Sequence, residues 1–198
     1  MKARQNPFRS DRVDAFRYQL EPEQWDSLLF KLRANSYRGM ILGPHGTGKT
    51  VFLEDLRARL QKTLSRGQNL PLLTFQDGFG EKDKVAIREG MSQLKSGDVC
   101  FMDGTEWLPI WIRWTLPRSI PRNVGWICTG HRPMGPLPLL LKTEPQPEVA
   151  QQLVATLLNR ALTDGEKSRC DRLYKEKKGN MRDFLRALYL AADMPAAV

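Results

Sequence analysis

The chain has 198 residues, a formal charge of +9, 41% hydrophobic and 27% charged residues. That length suits one sizeable core with a small appended subdomain, and the composition excludes disordered and fibrous classes. No apolar run is long enough to span a bilayer, and the first residues lead into no signal-like apolar core, so a cytoplasmic protein without membrane insertion is expected.

The positive charge suits an anionic partner, either a nucleotide alone or also a nucleic acid. It is unevenly spread: between Trp107 and Thr143 lie Arg113, Arg118, Arg122, Arg132 and Lys142, with no acid among them. Cys100, Cys128 and Cys170 are odd in number and in no metal-ligand spacing, which fits buried thiols in a reducing compartment.

Residues 1–20 mix arginine, aspartate and aromatic side chains without a period, including Asn6-Pro7-Phe8 and Phe16-Arg17-Tyr18. They read as an ordered arm packed on the main domain. A helix is expected over 21–34, with Trp25, Leu28, Leu29 and Leu32 on one face and Pro22 in its first turn. Residues 38–42 form a first strand and 49–62 a helix that stops near Ser65-Arg66-Gly67. A second strand over 70–75 is followed by a helix over 83–95 carrying Val85, Ile87, Met91 and Leu94. The third strand, 98–103, ends on Asp103. A helix over about 108–116 and a strand over 123–129 come next, then the proline-rich segment 133–138 and a fifth strand over 139–143. Trp107, Trp111 and Trp114, with Ile110, recur at helical spacing and are expected in the core, with a base-stacking platform as the alternative. Beyond Pro147 the pattern is helical over 148–162, 164–178 and 180–192, with tight turns between.

Strands alternating with helices, short and nearly continuously apolar, indicate an α/β fold whose parallel sheet is covered on both faces. The boundary at 144/145 separates an α/β domain with its N-terminal arm (1–144) from a small helical subdomain (145–198).

Between the first strand and its helix lies Gly43-Pro44-His45-Gly46-Thr47-Gly48-Lys49-Thr50, which fits the phosphate-loop pattern G-x-x-x-x-G-K-[ST] and runs into Val51-Phe52-Leu53. Glycines let such a backbone curl around a polyphosphate at the positive end of the next helix. Residues 43–51 are thus expected to bind ATP or ADP, with Lys49 on the β and γ phosphates and Thr50 on Mg²⁺. Ligands of parallel sheets bind at the strands' carboxyl ends, where Asp77, Asp103 and Thr129-Gly130-His131-Arg132 all fall. Asp103 is expected as the second metal-orienting carboxylate. Many ATPases place a water-polarising Glu directly after that Asp; here the position is Gly104, leaving Glu106 as first choice and Asp77 as second.

The order of these segments resembles the AAA+ and STAND branch of P-loop ATPases. Asp103-Gly104-Thr105-Glu106 and the turn from Thr129 to Arg132-Pro133 are similar to the STAND variant, including NACHT-type modules. Asn6-Pro7-Phe8 and Gly179-Asn180-Met181-Arg182 look more like the small AAA+ ATPases tied to transposition and secretion. The resemblance implies a three-layer sandwich with strand order 5-1-4-3-2, nucleotide held between sheet domain and helical lid, a sensor 1 role for Thr129 or Arg132, and a sensor 2 role for Arg182. An ion pair of Arg182 with Asp183 or Glu176 is the alternative. The segment between the fourth and fifth strands is too short for the family's usual helix bearing an intersubunit arginine finger. Arg132 is therefore expected to act within its own chain, with ring assembly open. No winged-helix or effector domain is expected within these residues. The activity implied is slow Mg-dependent ATP hydrolysis reported by the lid. The alternatives are a nucleotide-gated adaptor for an unknown protein partner and a DNA-associated ATPase. No Asn-Lys-x-Asp guanine-reading segment occurs, which argues against a GTPase.

Overall fold

In the computed structural model, residues 6–8, 18, 20–64 and 67–193 are described. Most of the N-terminal arm and the expected helix stop at Ser65-Arg66 lie outside them. The five strands are β1 (Arg38–Leu42), β2 (Leu72–Thr74), β3 (Val99–Asp103), β4 (Gly125–Gly130) and β5 (Leu139–Lys142). All pair in parallel, in the order β2-β3-β4-β1-β5. Read from the β5 edge this is 5-1-4-3-2. Alternate residues supply two cores. Met40, Cys100, Met102, Trp126 and Cys128 face one side, whereas Ile41, Val99, Phe101 and Ile127 face the other.

The second of these faces is covered by α1 (Pro22–Ala34) and α2 (Lys49–Thr63), through Trp25, Leu28 and Leu32 and through Phe52, Leu53, Leu56 and Leu60. Trp25 is stacked on Phe52 with ring centroids 5.2 Å apart, and the Arg59 guanidinium lies over the Trp25 ring, 4.2 Å from its centroid. The opposite face is covered by α3 (Glu81–Ser92) and α4 (Ile110–Ser119). Ile87, Met91 and Leu94 pack inward, but Val85, two residues and so about 200° round the helix from Ile87, is exposed.

The expected burial of the tryptophan stripe is not what the chain adopts. Helix α4 starts after a 3₁₀ turn at Thr105–Trp107 and turns Leu108, Ile112 and Leu116 onto the sheet. This aliphatic i, i+4, i+8 row competes with the indoles for the one inward face, and it takes it. Trp107, Ile110, Trp111 and Trp114 are left 37%, 65%, 58% and 63% exposed.

Contacts divide the chain into two units. The sheet unit comprises 18–43 and 49–143; the helical unit comprises the C-terminal segment from 144 together with residues 44–48 and the start of the chain. In the helical unit, α5 (Pro147–Leu158), α6 (Asp164–Glu176) and α7 (Met181–Asp193) enclose Leu153, Tyr174 and Phe184. Helix α5 ends short of the expected Leu162 because Asn159 adopts a left-handed conformation, φ 53°. Thr163 and Glu166 cap α6 reciprocally. The described residues of the arm belong to both units. Phe8 is buried in the helical core and Asn6 Nδ2 donates to the Tyr189 carbonyl at 2.9 Å, whereas Tyr18 packs edge-on against Phe52 of the sheet unit.

All three cysteines are free and buried, as their spacing suggested. Burial pushes the Cys100 thiol up to about 12 and raises Cys128 and Cys170 too. A raised pKa leaves little thiolate at neutral pH, so a thiol reagent at pH 8 is expected to label none of the three in the native protein and all three after denaturation. Separately, Trp25→Ala is expected to lower unfolding free energy by about 3–5 kcal/mol in urea titration, the usual cost of emptying a buried aromatic site.

Candidate functional site

Parallel pairing fixes which strand ends meet. Leu42 is opposite Gly130, Met102 opposite Cys128 and Thr74 opposite Asp103, so Gly43, Asp103 and Thr129 emerge at one edge of the sheet unit. Gly43 N–H donates to the Gly130 carbonyl at 3.2 Å, tying the start of the glycine-rich loop to β4.

The centre of the cluster is the Asp103 carboxylate, 9% exposed. Thr50 Oγ1 donates to its Oδ2 at 2.8 Å, and Thr129 Oγ1 donates to its Oδ1 at 2.6 Å. Thr129, fully buried, accepts in turn from Gly104 N–H at 2.9 Å, while its carbonyl accepts from Thr105 Oγ1 at 2.6 Å. The two residues expected on Mg²⁺ are thus brought together. Their oxygens suit that ion in chemistry, being hard donors, and in spacing, since adjacent corners of a Mg²⁺ octahedron are about 2.9 Å apart.

Lys49, in the first turn of α2, is 7% exposed and donates from Nζ to the Gly43 carbonyl at 2.9 Å. Burial pushes its pKa down, while the charges of Glu106 and Asp103 pull it part of the way back. Both carboxylates are therefore close enough to act on the ammonium. Val51 follows in the same helix.

Residues 44–48 belong to the helical unit and are described within it. Gly46 and Gly48 have φ of 72° and 87°, the left-handed geometry that lets successive amides form an anion-holding concavity. Thr47 Oγ1 donates to the Pro44 carbonyl at 2.9 Å. The Gly46 carbonyl accepts from Met181 N–H at 3.1 Å, and a Cβ on Gly46 would lie 2.0 Å from Asn180 Oδ1. Glycine is therefore required there by space as well as by backbone angle. His45 is exposed.

Arg182 stands in the first turn of α7, exposed, with its N–H bound to Asn180 Oδ1 at 3.0 Å. Among the described residues the ion pair set against its sensor role does not occur: Asp183 accepts from Asn180 Nδ2 and Glu176 pairs with Lys177. Arg132 is exposed just beyond β4. Asp77 is exposed beyond β2 and makes no hydrogen bond or ion pair among the described residues.

The Gly104 backbone explains why no acid stands directly after Asp103. Its φ is 77°, and a Cβ there would come within 2.5 Å of the Phe75 carbonyl oxygen, so no Glu fits directly after Asp103 in this backbone. The next acid, Glu106, rides on the 3₁₀ turn. Its Oε1 lies 3.0 Å from His131 Nε2, while Oε2 is buried with no hydrogen-bond partner among the described residues. A buried carboxylate oxygen without a partner calls for a ligand or ordered water. Sequence reasoning did not single out His131 or Thr105, although both lie in the strand-end segments it quoted.

No protein-family model matches the chain, and no curated protein does so either.

Thr129→Val keeps the shape but leaves Asp103 Oδ1 and Gly104 N–H without their partner, at an expected cost of about 1–3 kcal/mol per unsatisfied group in urea titration. Gly104→Glu is expected to lower stability by at least about 1–3 kcal/mol through backbone strain alone, read as a fall in thermal midpoint.

Proposed function

We propose that the chain binds a Mg-chelated nucleoside triphosphate, ATP in the first instance, and hydrolyses it slowly as a P-loop ATPase of the AAA+/STAND kind. The observation that carries this reading is the Thr50–Asp103 hydrogen bond, which joins the last residue of the phosphate-loop pattern to the strand-end carboxylate. Asp103 beside Thr50, with Lys49 under the influence of both acids, is the charge arrangement such a ligand needs. The P-loop type of three-layer sandwich is the fold this reading implies.

On this reading the amides of 43–50 hold the phosphates and Lys49 exchanges its Gly43 carbonyl for β- and γ-phosphate oxygens. Thr50 and Asp103 would hold Mg²⁺, which would neutralise phosphate charge. Glu106 orients the attacking water and takes its proton through Oε2. The water oxygen forms a bond to the γ-phosphorus as the bond to the β–γ bridging oxygen breaks, releasing ADP and phosphate. Thr129 acts by fixing Asp103, and His131 by holding Glu106 Oε1. Arg132 and Arg182 are proposed to answer the γ-phosphate, and α7 to report nucleotide state.

Gly104 favours a second reading, a nucleotide-gated interaction module in which turnover is incidental. One assay series separates the two. Lys49→Ala is expected to abolish Mg-dependent ATP binding in calorimetry. Glu106→Gln is expected to keep binding but lose phosphate release by about 10²-fold or more. Equal ATP binding by wild type and Lys49→Ala overturns both readings; binding with wild-type turnover at background selects the second.

A further inference from the structure

We infer that the outer face of α4 is a stacking platform for single-stranded nucleic acid. Trp111, Trp114 and Arg118 follow one another in α4 at i, i+3 and i+7, so they share one side of the helix, and Trp107 stands exposed in the 3₁₀ turn before it. That side is turned away from the core, with Trp111 58% and Trp114 63% exposed. Two large indoles exposed on adjacent turns of one helix have no role in the packing of the sheet, which α4 performs with Ile112 and Leu116.

Charge selects the occupant. Arg118 Nη1 donates to the Trp114 carbonyl at 2.6 Å, which anchors an exposed guanidinium at the backbone of the second tryptophan. Arg122, also exposed, follows four residues further along the chain, beyond the end of α4, and no acid occurs between Trp107 and Thr143. Exposed flat aromatic faces followed by two arginines, on a stretch of chain without an acid, suit a polyanion that carries aromatic rings. Unpaired bases stack on Trp111 and Trp114, and the phosphates between them meet Arg118 and Arg122. A duplex offers its phosphates but keeps its bases stacked on each other, so the platform discriminates in favour of single strands. A protein partner using the same indoles as apolar anchors would gain nothing from the missing acids.

The inference is independent of nucleotide binding. The test is fluorescence anisotropy with a labelled oligo(dT), an oligo(rU) and a DNA duplex of the same length, at low and at moderate salt. Tight single-strand binding that weakens with salt is expected, with the duplex markedly weaker; the oligo(dT) and oligo(rU) arms tell DNA from RNA. Trp111→Ala and Trp114→Ala should each weaken single-strand binding by about 5- to 150-fold, the loss of one base–aromatic stack. Trp111→Phe should recover most of the affinity. Arg118→Ala should reduce the salt slope by about 0.7, the single-strand value for one phosphate contact. Lys49→Ala should bind the oligonucleotides like wild type, which keeps failure here distinct from failure of the ATPase reading. Absence of single-strand binding at low salt, equal affinity for duplex, or unchanged affinity in the correctly folded Trp111→Ala/Trp114→Ala variant overturns the inference. So does a concentration-dependent dimer in sedimentation that this double variant dissolves, because it assigns the face to a second copy of the chain.

Discussion

The site depends on one carboxylate being held from two sides. Asp103 leaves β3 with Thr50 on one oxygen and Thr129 on the other, and each hydroxyl comes from a different element: the first turn of α2 and the end of β4. Neither partner is near Asp103 in sequence. They meet because β4 pairs with both β1 and β3, so that parallel register delivers three strand ends to one place. A carboxylate so buried requires its hydrogen bonds; hydroxyl donors on both oxygens keep it oriented. What aims Asp103 is thus also what makes its burial tolerable.

The same constraint shapes the segment that follows. The chain must turn sharply after Asp103 to pass beneath the Phe75 carbonyl, and only a residue without a side chain does so. That geometry removes the position a catalytic glutamate occupies in many ATPases and transfers the task, on the proposed reading, to a residue two places on. The 3₁₀ turn is the device that brings Glu106 back toward His131. Departure from the common pattern is therefore a consequence of backbone shape.

Much of this was legible in the amino-acid order. The strand spans, the glycine-rich loop and the strand-end Asp103 follow from short apolar runs and turn residues, because a parallel sheet leaves its strands almost no freedom of composition. Less legible were features that rest on competition between distant groups. The helix carrying the tryptophans has two apolar rows, and periodicity alone does not say which meets the sheet; Leu108, Ile112 and Leu116 do so in the structure. His131 beside Glu106 joins residues on different elements with no spacing signal. Nor does spacing say that Phe8 joins the C-terminal helices while Tyr18 packs on Phe52.

The amide of Met181 has a use that follows from its bond to the Gly46 carbonyl. It is the first residue of a helix, where amides lack an acceptor inside the helix itself, so its electronic environment is set largely by the loop oxygen. In a nitrogen–proton correlation spectrum this single resonance is a native indicator of loop conformation, needing no attached dye and no altered residue.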